Sequence, residues 1–308
     1  MQSTLIMGRL QPALSIGPAI DAEPPPVIWA LDAFSKDFAT HARTAFAIRA
    51  HAAESAIHPV YVLSDEVFLN RGYSSFLRAA LKPRAHKNLI AIMEHELMIE
   101  IRRSGALRSP RVLIETSADA SLCTKKLLRY AKGIGAQLVA IGANGRSSLS
   151  RWLTGSFAET LMRESPLPLL VTGPLQMNGL KSAKAIVLTT DFAAKDQSAF
   201  IKLLQMARAR GLSVHLFPLR RDVPLIEANA WLDLADQLGV TAKLTTETFR
   251  DPTAAALIEY ANGLEAASTL FVFLSDPRLS SNQGWLPASL THDLIRKSPC
   301  PLYISGHI

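Results

Sequence analysis

The segment AQLVAIGANGRSSLSRWLTGSFAETLMRES, residues 136–165, decides how this chain is read. It opens on AQLVAIG (136–142), an apolar run of the kind that forms a strand buried on both faces. It closes on FAETLMRES (157–165), whose composition is helical. Between them GANGRSSLSRWLTGS (142–156) places glycines at 142, 145 and 155 and holds few bulky apolar residues. A buried strand that passes to a helix through a glycine-rich turn is a unit of α/β folds. In such folds ligands bind outside the carboxyl ends of the strands.

Outward from this segment the same alternation continues. VIWALDA (27–33), PVYVLSD (59–65), PRVLIET (110–116) and PLPLLVTG (166–173) read as strands. The helical stretches between them are DFATHARTAFAIRAHAAESA (37–56), NLIAIMEHELMIEIRRSG (88–105) and SLCTKKLLRYAKGIG (121–135). The basic stretch RGYSSFLRAALKPRAHK (71–87) interrupts the region between the second strand and the second helix, and reads as a solvated surface or a cover over a ligand.

The plan then repeats. AKAIVLTTD (183–191), SVHLFPL (213–219), VTAKLTTET (240–248), STLFVFLS (268–275) and CPLYISG (300–306) are strand-like. QSAFIKLLQMARARG, EANAWLDLADQLG, TAAALIEYANGLEA and SLTHDLIRKS are helical. Shifted by 133 residues, LTGSFAETLMRESPLPLLVTG (153–173) lies without a gap over LPASLTHDLIRKSPCPLYISG (286–306). Leu153, Ser156, Leu161, Arg163, Ser165, Pro166, Pro168, Leu169 and Gly173 recur, which marks an internal tandem repeat. The expected fold is α/β: two tandem doubly wound domains, each a mainly parallel five-stranded sheet with helices on both faces. The expected boundaries are a flexible leader over 1–26, one domain over 27–174 and a second over 183–308.

On local chemistry the glycine phrase has two readings. Glycine admits positive φ and close backbone approach, and Gly155–Ser156 would stand at a helix N-terminus that attracts phosphate. Alternatively Gly142 and Gly145 make a tight turn and Ser156 caps the helix. Neither GxxxxGK[ST] nor GxGxxG after the first strand is present. The spacing of Gly142, Gly145, Gly155 and Ser156, with Asp32 ending the first strand and the closing Ser-Pro-x-Pro-Leu-Leu-Val strand, resembles the universal stress protein family. The resemblance covers 27–174 well and 183–308 more loosely. It implies the fold of adenine nucleotide alpha hydrolase-like proteins and an ATP-binding, stress-response regulatory module, with ATP, with or without Mg²⁺, as the ligand. Carried over by position, it assigns Asp32 to the nucleoside, backbone groups of Val60 to the base, Ile141 and Gly142 to the end of the fourth strand and Gly145 to the turn. It assigns N–H groups of Gly155, Ser156 and Phe157 to the phosphates. Asp32 also reads as a helix N-terminal carboxylate bonding nearby N–H groups. The resemblance further implies pairing of the last strands across a two-fold axis within the chain, and it leaves room for a homodimer and an unidentified protein partner.

In the repeat, Gly142 becomes Ser275, Gly145 becomes Arg278 and Gly155 becomes Ala288. Side chains stand where the backbone would approach phosphate, so the second half reads as a degenerate structural partner. No Lys of the P-loop kind and no general base are evident, so a slow ATPase or phosphotransferase is the rival reading, and a scaffold that binds no nucleotide is the third.

The net charge of +7 is uneven. Residues 27–174 carry 19 Lys and Arg against 12 Asp and Glu, while 175–308 carry 13 against 12, so the excess that favours an anionic ligand belongs to the first half. Nucleic acid is a weaker fit to that excess. Two cysteines, Cys123 and Cys300, make no disulfide framework and fit a reducing, cytoplasmic setting in packing roles. No apolar run reaches the roughly 18 residues of a membrane span. The histidines have no metal-ligand spacing.

Overall fold

The computed structural model describes residues 25–31, 38–52, 55–63, 75–94, 106–117, 119–142, 157–176, 183–219, 225–245, 253–274 and 288–305. In the first half these form β1 (Pro26–Ala30), α1 (Phe38–His51), β2 (Ala56–Leu63), α2 (Ser75–Glu94), β3 (Arg111–Ile114), α3 (Ala120–Gly133), β4 (Leu138–Gly142), α4 (Phe157–Glu164) and β5 (Leu169–Thr172). In the second they form β6 (Ala185–Thr190), α5 (Gln197–Arg210), β7 (Ser213–Pro218), α6 (Leu225–Gln237), β8 (Ala242–Leu244), α7 (Ala254–Gly263), β9 (Thr269–Phe273), α8 (Ala288–Lys297) and β10 (Leu302–Ile304).

All ten strands join one sheet in the order β3-β2-β1-β4-β5-β10-β9-β6-β7-β8. Within each half every pairing is parallel, and only β5 and β10 run antiparallel. Each half therefore contributes five strands with the same internal order, and the two last strands meet at the centre.

The inner strands are buried on both faces, as their near-continuous apolar runs require, while the edge strands β3 and β8 are partly exposed. Val27, Trp29 and Leu31 turn to one face with α1, α2, α5 and α6; Ile28 and Ala30 turn to the other with α3, α4, α7 and α8. Each face carries one apolar cluster that runs through both halves, Leu170 bridging the seam on one and Leu169, Val171, Leu302 and Ile304 on the other. Helix ends follow local chemistry. Asp119 Oδ1 accepts the Ser121 N–H at the start of α3, and the Thr253 hydroxyl accepts the Ala256 N–H at the start of α7. Gly211 closes α5 at φ 64°, the left-handed cap that glycine supplies without steric cost.

Two boundaries differ from the sequence reading. The second helix starts at Ser75, so most of the basic stretch 71–87 is helical rather than an interruption. Pro83 lies inside it, on an exposed stretch where water can take the Ala79 carbonyl that loses its bond. Ala85, Leu89, Ile92 and Met93 then form the buried stripe. The second strand starts at Ala56 rather than Pro59. Ile57 donates to the Ala106 carbonyl and accepts from Arg108 N–H, so odd-numbered backbone groups of β2 face β3. Pro59 falls between that isolated Ile57–Leu107 bridge and the β2–β3 ladder that begins at Val60–Arg111. Its missing N–H therefore breaks no ladder bond.

Candidate functional site

In the first half β1 lies between β2 and β4. The connection leaving β1 leads to β2 on one side, while the chain returns from β3 to β4 on the other. The carboxyl ends of β1 and β4 therefore form the topological switch point at which open α/β sheets bind ligands. Ala30 is registered with Ile141, which places Leu31 beside Gly142 at this end. Gly142 is the last residue of β4, half-exposed after four buried positions, and pairs with Thr172 of β5. The β4-to-β5 connection leaves from here, and α4 starts at Phe157. A helix that returns a parallel crossover runs against its strands, so the first-turn N–H groups of α4 lie at the same end of the sheet.

Of the residues assigned from sequence, Ile141 is buried at the penultimate position of β4, and Gly142 and Phe157 bracket the connection. Val60 is the fifth residue of β2, 1 % exposed, and its carbonyl accepts the Leu31 N–H. That carbonyl is committed to the sheet. Asp32, Gly145, Gly155 and Ser156 lie outside the described residues.

The corresponding end of the second half is internally satisfied. The Thr190 hydroxyl accepts the Phe192 N–H at 2.9 Å, and Asp191 Oδ1 accepts the Ala193 N–H at 2.9 Å. Phe192 has φ 63°, in the left-handed region that a bulky residue rarely adopts, and is 3 % exposed. It meets Trp231 edge-to-face at 5.5 Å, and Trp231 stacks on Phe200 at 4.2 Å. The first-half counterpart of Phe192, one residue beyond Asp32, is Ala33.

Sequence reading missed a second repeated feature, at the opposite end of the strands. His58 Nδ1 lies 3.0 Å from the Tyr130 hydroxyl, and His215 Nδ1 lies 2.7 Å from the Tyr260 hydroxyl. Each pair ties the third residue of the half's second strand to the third helix. Burial first, then the nearby Arg111 and Arg108, lowers the pKa of His58. Burial and then Lys243 lower that of His215 to about 4, so both rings are neutral near pH 7. Ser213 Oγ lies 3.2 Å from His215 Nε2. The clue was a histidine near the start of each half's second strand and a tyrosine near the end of each third helix. Among the described residues no group of three His, Cys, Asp or Glu could hold a metal ion, and no helix is long and apolar enough to cross a membrane.

Residues 27–173 match the model of the universal stress protein family. A universal stress protein from Archaeoglobus fulgidus superposes with a TM-score of 0.59 at 11% identity, covering 91% of this chain and 96% of that one. A functionally unknown protein from Pseudomonas aeruginosa superposes with a TM-score of 0.51 at 12% identity, covering 92% and 93%. At such identities these likenesses speak to the fold. No curated protein matches the chain.

Proposed function

The chain belongs to the universal stress protein family through residues 27–173, and from that premise we propose that it is a nucleotide-binding regulatory module whose first half holds ATP. The observation that carries this reading is the position of Gly142. It ends β4 beside the end of β1, at the switch point, and opens the Gly142, Gly145, Gly155, Ser156 spacing that leads into α4. The chain's own residues fit a triphosphate there. Glycine backbone offers N–H groups without side-chain obstruction, the start of α4 supplies first-turn N–H groups and a favourable dipole, and Ser156 supplies a hydroxyl. Mg²⁺ would accompany the phosphates as their counter-ion.

Binding rather than turnover is the proposed role. Rapid phosphoryl transfer needs charge neutralisation on the transferring group and a residue that positions the nucleophile. The glycine phrase offers N–H groups, a hydroxyl and the nearby Arg146 and Arg151, but no second carboxylate and no evident base. The nucleotide state would then set the module's affinity for a protein partner.

The test replaces Gly155 by Val. The variant should unfold cooperatively yet lose the thermal stabilisation that Mg²⁺-ATP gives the wild type. Equal stabilisation of both proteins by ATP would remove the phosphates from this loop.

A further inference from the structure

Beside the glycine phrase the two halves differ in one buried polar contact. Thr172 is the last residue of β5, 1 % exposed and registered with Gly142. Its Oγ1 lies 3.4 Å from the Ile141 carbonyl oxygen and 2.7 Å from Oγ1 of Thr44, itself 1 % exposed on α1. We propose that Thr172, buttressed by Thr44, is the positioning residue that sets the Ile141–Gly142 peptide for nucleotide binding, an inference that rests on the nucleotide-binding reading above.

A threonine hydroxyl has one proton and accepts with its lone pairs, and either hydroxyl can donate in the Thr44–Thr172 pair. The contact links α1 through the end of β5 to the last carbonyl before the glycines. The Ile141 carbonyl and the Gly142 N–H belong to one planar trans peptide and point in opposite directions. On the β1 side the register of Ala30 with Ile141 bonds the Gly142 N–H to the Ala30 carbonyl, and holding the Ile141 carbonyl toward β5 fixes the other side of the same peptide, the last of β4. Gly142 has no Cβ to restrict it, so the hydroxyl adds a side-chain anchor where the sheet ends and the glycine phrase begins.

The second half shows which part of this contact belongs to the shared frame. Ser305 stands 133 residues after Thr172, and its hydroxyl donates to the Leu274 carbonyl at 2.9 Å, Leu274 being the counterpart of Ile141. The hydroxyl-to-carbonyl bond is therefore common to both halves. The second hydroxyl is not. Thr44 is the seventh residue of the fourteen-residue α1, and the seventh residue of the fourteen-residue α5 is Leu203, likewise buried. Leucine fills that place without burying a polar group, whereas a buried hydroxyl costs free energy unless it is bonded. Packing alone does not call for the threonine pair, which occurs in the half that carries the glycine phrase.

The test uses the full chain with Thr172→Val, Thr172→Ser, Thr44→Val and, as a control in the other half, Ser305→Ala. Calorimetric titration with Mg²⁺-ATP should show Thr172→Val binding about three- to tenfold more weakly, the loss expected for one hydrogen bond. Thr44→Val should weaken binding in the same direction. Thr172→Ser should bind within about twofold of wild type and Ser305→Ala as wild type, which a merely destabilising change would not reproduce. Without nucleotide, amide exchange over residues 138–145 should quicken in Thr172→Val and not in Thr172→Ser. Wild-type ATP affinity in Thr172→Val, or equal weakening in Thr172→Ser, would overturn the proposal. Should the wild type itself bind no ATP, the nucleotide reading falls by that result. Unchanged exchange in Thr172→Val would separately refute the anchoring of the peptide.

Discussion

Leu170 of β5 lies directly opposite Tyr303 of β10, and the two are separated by the same 133 residues that superpose the two sequence repeats. Their flanking pairs are Leu169 with Ile304 and Val171 with Leu302. Each residue thus faces its own repeat counterpart or that counterpart's mirror position, which is the signature of a local two-fold axis between Leu170 and Tyr303. Leu170 is fully buried. Burial also pushes the Tyr303 phenol up to about 12, against the opposing pull of Arg210, so it stays neutral in the seam. Leu170→Ala should cost about 3 kcal/mol, the transfer of the lost side chain plus the cavity it leaves. Urea unfolding with a loss below about 1 kcal/mol would show that the seam is not close-packed.

Gly173, the residue after β5, is fixed by contact rather than by dihedral angle. A Cβ there would sit 2.1 Å from the Ile295 carbonyl oxygen and 3.2 Å from its carbon, both backbone atoms of α8. Neither can swing aside, so Gly173→Ala should destabilise by about 3 kcal/mol or more. Gly133, in the last turn of α3, has no atom within 4 Å of such a Cβ. Gly133→Ala should be neutral or stabilise by up to about 1 kcal/mol. Thermal melts of the two variants side by side check the contrast, and similar losses in both would contradict it.

Gly173 also shows what the sequence reveals and what it hides. It recurs as Gly306, and that recurrence, with the Ser-Pro-x-Pro frame before it, was enough to read a repeated fold. Strand identity was legible because runs such as AIVLTT bury every residue. The errors fell where local signals oppose tertiary packing. The basic stretch 71–87 reads as an interruption, yet the stripe from Ala85 to Met93 buries well enough to carry the helix through Pro83. Pro59 reads as a strand opening because its effect depends on which neighbour its missing N–H would face. The glycine spacing was visible as a pattern. The Thr44–Thr172 contact was not, since it joins residues 128 apart by a register that only the folded sheet defines.

The buried histidine of the second half makes stability depend on pH. Its folded pKa, about 4, lies below the ordinary value of 6.5, so folding favours the neutral ring. Its contribution is complete above pH 6.5 and is lost as pH falls toward 4. The loss should amount to about 2 kcal/mol, allowing for solvent screening at the sheet's end. His58 adds to it in the same direction. His215→Gln should flatten this part of the profile. Denaturant midpoints measured between pH 7 and 4.5 that fall equally in the variant and the wild type would assign the acid sensitivity elsewhere.

Both cysteines are buried thiols that form no disulfide. Burial, the larger cause, pushes the Cys300 thiol up to about 12 despite its contact with Ser298. Its Sγ lies 3.3 Å from the Ala266 carbonyl oxygen. The thiolate is the reactive form, so neither residue should react with an aromatic disulfide reagent in the native protein, and both should react in denaturant. Rapid labelling of one thiol under native conditions would place a reactive cysteine where packing is inferred.

The same asymmetry that separates Thr44 from Leu203 bears on how many nucleotides the chain holds. At the carboxyl end of β6 the Thr190 hydroxyl and the Asp191 carboxylate are engaged by the N–H groups of Phe192 and Ala193. Phe192 is held against Trp231 at positive φ, a conformation that costs about 1–3 kcal/mol and persists only because its surroundings impose it. Freeing Asp191 for a ribose would break this turn and expose the Phe192 ring. In sequence, Ser275, Arg278 and Ala288 replace the three glycines, so the second half lacks the residues through which the proposed reading lets backbone approach phosphate. Arg278 is the one change that works the other way, since a guanidinium binds phosphate directly. The balance predicts one ATP per chain. Calorimetric titration should give a single site, abolished by Gly155→Val and unaffected by Phe192→Leu. Two sites of comparable affinity, one surviving Gly155→Val and lost on replacing Arg278 by Ala, would show that the second half binds nucleotide through its arginine.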